Sequence, residues 1–326
     1  MQFIGGRILE KKFEWKRVIL IAALIVVLMV LLNIFAGGRF FTSSNLLAVL
    51  SNSVVTAFVV LGMCFIFTMG ITDLSIGAIM ILASNVGGIL ALHAGLGYAG
   101  MFLGGMAVCI ACTMLNVFMI RKGGIPAWIL GLGMVMVYEA IGAIYNNTQI
   151  NAGRQSVSLG NAFREVGAPP WNIILLVAAV AVAYFVYNRT AVGVNLRAVG
   201  SNEAVSRIMG VQVDKAVFLA VLVGGCFLGM AASINISYAG RISPVTGLNS
   251  IANVFNPLAA FLLAKALSGV LNLTISAAVG AFIITAIFNV LTLMGVPSGT
   301  WQQVVLGAVV IICGVLAQRK FKGVVK

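Results

Sequence analysis

Val18-Ile-Leu-Ile-Ala-Ala-Leu-Ile-Val-Val-Leu-Met-Val-Leu-Leu-Asn-Ile-Phe-Ala36 is a run of nineteen residues in which Asn33 is the only polar side chain. A bilayer's hydrocarbon core takes roughly 20 mostly apolar residues of helix, so the run is long enough to span. A cleaved secretion signal has a shorter apolar core. The run is therefore read as an uncleaved first membrane helix behind a polar, basic lead at 1–17. Further apolar stretches follow near 46–69, 74–93, 98–120, 125–145, 171–187, 216–238, 251–267, 274–294 and 301–317. The expected fold is all-α and polytopic, with about ten transmembrane helices in a single permease-like domain over 1–326.

Composition agrees with a bilayer as solvent. Hydrophobic residues make up 61% of 326 positions and charged residues 8%. Soluble domains run nearer to about 45–50% and 25%, and burial in a water-soluble fold saturates with size. The net charge is +13, but the bases lie between apolar runs rather than in a patch with aromatics. They read as topology signals, not as a nucleic-acid surface. With the N-terminus in the cytoplasm, sixteen of the twenty Lys and Arg residues fall inside, and Arg39, Arg154, Arg164 and Arg241 fall outside. This bias favours an even number of spans with both termini cytoplasmic. It makes 146–170 an external loop, 188–215 a cytoplasmic loop and 318–326 a cytoplasmic tail.

No catalytic cluster is present. His93 is the one histidine, and Cys109-x-x-Cys112 stands in an apolar helix with no second pair; the better reading of these thiols is packing. No glycine directly precedes a lysine, so the phosphate-binding loop motif is missing. Any ATP and Mg must bind a partner subunit, and the chain is expected to hold no cofactor and no metal. Asp73 and Glu139 are read as the ionisable residues inside the membrane, each near an interface. Such groups are costly in a membrane and usually functional, and their scarcity counts against proton or sodium coupling.

The segment Arg197-Ala-Val-Gly-Ser-Asn-Glu-Ala-Val-Ser-Arg-Ile-Met-Gly-Val-Gln-Val-Asp-Lys215 carries the most information. Asn202 is a good helix cap, Glu203 and Arg207 suit the two ends of the helix dipole, and Gly210 suits the C-terminal stop. Together they predict a two-turn helix over about 202–209, with Ile208 and Met209 offering an apolar contact. The same residues also fit a solvated connector.

This segment resembles the cytoplasmic loop of the permease subunits of ribose-, xylose- and galactose-type ABC importers. Gly200, Asn202, Glu203, Ala204, Arg207, Gly210, Val213 and Lys215 carry the likeness. Asp73, Leu74, Ser75 and Gly77 resemble the family's G-I-D-L-S-x-G segment. Gly295-Val-Pro-Ser-Gly-Thr-Trp-Gln-Gln303 with Gly307 is similar to its last hairpin. The resemblance implies an ATPase-coupling helix in 188–215, a partner ABC ATPase, a second permease copy or paralogue, and an extracytoplasmic solute-binding protein. It also implies import of a sugar or sugar-like solute by alternating access. Permeases of the nucleoside or amino-acid branches, and an autonomous carrier or channel, are the alternatives. Two departures stand out. Ala264-Lys-Ala-Leu-Ser-Gly-Val-Leu-Asn272 holds only Gly269 where the family has a glycine-rich turn, and Gly70-Ile71-Thr72 replaces paired glycines. Both put a homodimer in doubt.

Asn52, Asn85, Asn116, Asn235, Asn256 and Asn289 are candidates for the translocation path, because amides both donate to and accept from hydroxyls. Plain interhelix hydrogen bonding is the competing reading.

Overall fold

The computed structural model describes residues 3–4, 7–8, 15–151, 158–297 and 299–318. Most of the 1–17 lead, part of the 146–170 loop and nearly all of the 318–326 tail lie outside the described residues. A two-residue antiparallel ladder pairs Phe3–Ile4 with Arg7–Ile8. The rest is helical: α1 (Trp15–Phe35), α2 (Ser43–Ile66), α3 (Ile76–Leu92), α4 (Gly97–Gly123), α5 (Ala127–Asn151) and α6 (Trp171–Arg189). These are followed by α7 (Ala191–Ser201), α8 (Glu203–Ile208), α9 (Val213–Ala239), α10 (Ala252–Leu267), α11 (Leu273–Leu293) and α12 (Thr300–Gln318).

Each expected apolar stretch falls on one helix. Seven of these helices are long and apolar enough to cross a membrane, and Ala22–Phe35, Ile76–Leu92 and Trp301–Ala317 form shorter apolar helices. Apart from the short ladder, the regular structure among the described residues is helical, and the chain is a multi-pass membrane protein. Helix α5 continues to Asn151, past the start expected for the 146–170 loop. The 188–215 segment carries two helices, α7 and α8, the second of them where the two-turn helix over about 202–209 is expected.

Helices α2 and α9 form the buried centre of the bundle, with Val54–Ile66 and Val217–Ile234 supplying much of the core. Small residues make this contact possible. A Cβ added at Gly62 would lie 3.0 Å from the carbonyl oxygen of Gly224, and one at Gly224 would lie 3.1 Å from that of Gly62. Such approaches supply the dispersion contacts that hold helices together where lipid offers no hydrophobic drive. The bundle has two ends. One holds α7 and α8 with the C-termini of α4 and α6. The other holds the α1–α2 turn, where Arg39 donates to the Leu293 carbonyl of α11 at 2.7 Å.

Candidate functional site

At the α8 end, α7 lies against the bundle with Gly193, Leu196 and Val199 buried. Gly200 sits so close to the Thr68 carbonyl, just past α2, that a Cβ there would overlap it. Arg197 donates to the Tyr187 carbonyl at 2.6 Å and its guanidinium stands over that tyrosine ring. Helix α8 then starts as expected. The Asn202 side chain accepts from the Val205 N–H at 3.0 Å, and the chain leaves through Gly210 at φ +82°. Arg121, at the end of α4, donates to Glu203 at 3.2 Å and to Asp214 at 2.8 Å, and Arg207 donates to Glu203 at 3.0 Å. Exposed ion pairs contribute little singly, and more as a network with shared partners. This network ties α8 to α4 and to the start of α9. Ile208 and Met209 stay 86% and 77% exposed. Ile208 also borders an open hollow of about 550 Å³ with Glu203, Ala204 and Arg207. Lys215 is exposed beside Asp214. An Asn202→Ala variant is expected to lose about 1 kcal/mol of local helix stability. Faster amide exchange across 203–208 would report it.

Inside the bundle, two helix N-termini meet. Asp73 precedes α3, and its Oδ1 accepts the Ser75 N–H at 2.8 Å. Its Oδ2 accepts from Asn116 Nδ2 at 2.7 Å, and the same Nδ2 donates to Ser75 Oγ at 2.8 Å. Asn116 Oδ1 in turn accepts from the Tyr138 hydroxyl at 2.8 Å. Two turns along α3, Ser84 donates to the Ala232 carbonyl of α9. Counting about 1.5 Å per residue from there back to Ile76, and on to the end of α9, places the start of α3 roughly 20 Å below that end. The start of α3 is thus near the middle of α9.

The second N-terminus belongs to the 3-10 turn Asn249–Ile251 that leads into α10. A Cβ on Gly77 would collide with the Ser250 carbonyl oxygen, so this turn lies beside the start of α3. The chain reaches it from Gly240, at the end of α9, through residues 241–248, which form neither helix nor extended sheet. Glu139 of α5 holds the turn. Its Oε2 accepts the Leu248 N–H at 2.9 Å and its Oε1 the Ser250 N–H at 2.8 Å. Neither carboxylate is at a surface: Asp73 is 3% and Glu139 5% exposed. Each accepts two hydrogen bonds from neighbouring donors.

Around this meeting point lies a cavity of about 380 Å³ whose polar lining includes Thr56, Asn235, Arg241, Ser243, Asn253 and Asn256. Pro257 also lines it. A proline has no N–H for the carbonyl four residues back, so the Asn253 carbonyl is left as an acceptor at the wall. A wider opening of about 780 Å³ adjoins it between α10 and α12, with Asn249, Asn256, Gln302 and Gln303 beside Phe255 and Phe288. Among the described residues, no carboxylate lines either space.

The structure therefore divides the six asparagines. Asn235 and Asn256 reach the cavity. Asn116 is consumed by Asp73, Ser75 and Tyr138. Asn289 pairs with Asn45, each amide donating to the other at 3.0 Å. Asn85 is buried and donates to the Ile81 carbonyl of its own helix, and Asn52 is exposed on α2. Arg241, Ser243, Thr56 and Gln302 were not among the candidates. The signal for the first two was Pro244 and Gly247 in a polar stretch, which spacing alone treats as an outer loop.

A protein-family profile described as branched-chain amino acid transport system, permease component, matches residues 45–314. The chain belongs to this permease family. The match runs from α2 into α12 and so contains both the α8 region and the interior helix starts. Among similar proteins, the fructose import permease protein of Rhizobium meliloti is 26% identical over 92% of this chain and 84% of its own length. The ribose import permease protein of Escherichia coli (strain K12) is 26% identical over 97% of both chains. The D-allose transport system permease protein of the same strain is 24% identical over 83% of this chain and 82% of its own length. No solved structure matches the chain. The resemblance drawn from the sequence motifs and these similarities name the same kind of protein, a sugar-type ABC permease.

Proposed function

We propose that this chain is the pore-forming subunit of an ATP-driven importer in the cell membrane, and that its solute is a sugar or sugar-like molecule. The single observation that carries the ATP-driven part is α8. It is a short helix with apolar residues bare to solvent, pinned to the bundle by an ion-pair network. An apolar surface held this firmly at a solvated end suits docking of a separate subunit. In this reading ten helices (α1 to α6 and α9 to α12) cross the membrane with both termini in the cytoplasm, and α8 contacts an ABC ATPase that binds ATP and Mg. Gly200, Asn202, Glu203, Ala204, Arg207, Gly210 and Lys215 shape that contact. An external binding protein delivers solute, and a second permease, identical or paralogous, completes the path. ATP shifts the balance between two states by binding one of them more tightly.

The cavity chemistry favours a polyhydroxyl solute over a branched-chain amino acid. Amides, hydroxyls and a guanidinium match hydroxyl groups, whereas an aliphatic side chain gains from an apolar pocket. The relatives named for fructose, ribose and allose support the same choice. A path of this kind also explains why irregular backbone at 241–248 is tolerated inside the bundle, since such segments persist where they line a cavity.

The test uses tagged chain, coexpressed with the candidate ATPase and binding protein and purified in mild detergent. The ATPase is expected to copurify, and pentoses or hexoses are expected to raise the melting temperature of the binding protein. A chain that purifies without any ATPase overturns the ATP-driven reading. Stabilisation by leucine or isoleucine instead of sugars replaces the solute.

A further inference from the structure

We propose that Tyr138 and Glu139, neighbours on α5, are the positioning pair that carries movement of the α8 end to the backbone lining the solute cavity. The proposal rests on the permease reading above and adds the route by which the two sites communicate.

Adjacent residues on a helix point about 100° apart, so one turn of α5 can address two partners. Tyr138 turns to α4, where its hydroxyl donates to Asn116 Oδ1 at 2.8 Å and lies 3.2 Å from the Cys112 carbonyl. Asn116 is a little over one turn from Arg121, the residue that grips Glu203 of α8 and Asp214 of α9. A displacement of α8 therefore acts on the end of α4, and a rigid helix turn passes it to Asn116. Glu139 faces the other way and holds the Leu248 and Ser250 N–H groups. One turn further, Gly142 packs on Pro244, where an added Cβ would lie 3.4 Å from the proline ring. Both contacts of α5 on that side fall on the segment whose Ser243 and Val245 line the cavity.

The physical chemistry makes these links stiff. Breaking a buried hydrogen bond leaves its partner unsatisfied and so costs the full desolvation of that group, and hydrogen bonds to a carboxylate are stronger than neutral ones. A shift of α5 is thus more easily accommodated by moving 241–250 than by parting from it. Among the described residues, 242–247 belong to no helix or ladder, and in this proposal that segment is the element that changes arrangement. A two-state element biased from both ends is what transmission between sites requires.

The test reconstitutes the permease with its ATPase and binding protein in proteoliposomes and measures solute moved per ATP hydrolysed. Tyr138→Phe removes one hydroxyl and keeps the ring. Glu139→Gln replaces one of two acceptor oxygens with a donor. Each is expected to lower solute per ATP by about fivefold or more, with the same amount of copurified ATPase as the parent. Because the pair acts in series, the double variant is expected to be no worse than the weaker single. A Ser243→Cys reporter is expected to change its thiol reactivity on trapping the ATP-bound state, and Tyr138→Phe is expected to abolish that change. Singles with the parental ratio, or a double variant whose losses multiply, overturn the proposal. If Glu139→Gln fails to accumulate, Tyr138→Phe and the thiol reporter decide alone. Failure of the parent chain to bring down an ATPase is a separate result that counts against the permease reading instead.

Discussion

Gly77→Val is expected to yield little folded protein, with a loss of about 3 kcal/mol, the upper part of the usual range for overpacking. The cause is local and backbone in nature. The added Cβ would overlap the Ser250 carbonyl oxygen. That carbonyl belongs to a turn whose own N–H is held by Glu139. The turn cannot retreat without giving up that hydrogen bond, and α3 cannot retreat without disturbing Asp73 and Asn116. The valine therefore forces apart the two helix starts that form one wall of the cavity. Gly133→Ala on α5 is the matched control, because nothing lies within 4 Å of the added methyl there. It is expected to be neutral or stabilising by up to about 1 kcal/mol, the helix propensity difference. Size-exclusion yield in detergent and the thermal midpoint measure both. Equal behaviour of the two variants would contradict the meeting of α3 and the α10 turn.

Ile208→Glu is expected to have the largest effect on transport with the least on folding. Ile208 is 86% exposed, so the bundle loses almost no packing when it is replaced. In the docking role its apolar side chain sits at the centre of a contact, and such anchors cost about 2 kcal/mol or more when removed. That corresponds to roughly thirtyfold weaker ATPase binding. A carboxylate at this point also puts a charge on the hollow that Ile208 shares with Glu203, Ala204 and Arg207. Copurified ATPase and ATP-dependent uptake should both collapse while the thermal midpoint of the permease stays put. Full ATPase recovery with this variant would remove α8 from the interface.

Much of this protein is legible without coordinates, for reasons that differ by region. Apolar runs such as 18–36 reveal helices because a bilayer penalises every unpaired backbone group, so length and composition nearly suffice. The cap at Asn202, the dipole-matched Glu203 and Arg207 and the stop at Gly210 are local signals, readable because each acts within a turn of its own helix. Asp73 and Glu139 stand out as rare charges in apolar surroundings, but their partners do not. Leu248 and Ser250 are more than a hundred residues from Glu139, and no periodicity links them.

The asparagines show the same boundary. Asn116, Asn235 and Asn289 look alike in sequence, each a lone amide in an apolar helix. One is bound up with a carboxylate, one opens on a cavity and one pairs with Asn45, and only the rotation of each helix against its neighbours separates them. The amino-acid order by itself determined a bilayer-embedded helical chain and a capped helix between α6 and α9, because those depend on solvent and on near neighbours. Which polar groups line the cavity, and that 241–250 turns inward beside Gly77, depended on contacts between distant segments. Those are set by the packing of the whole bundle.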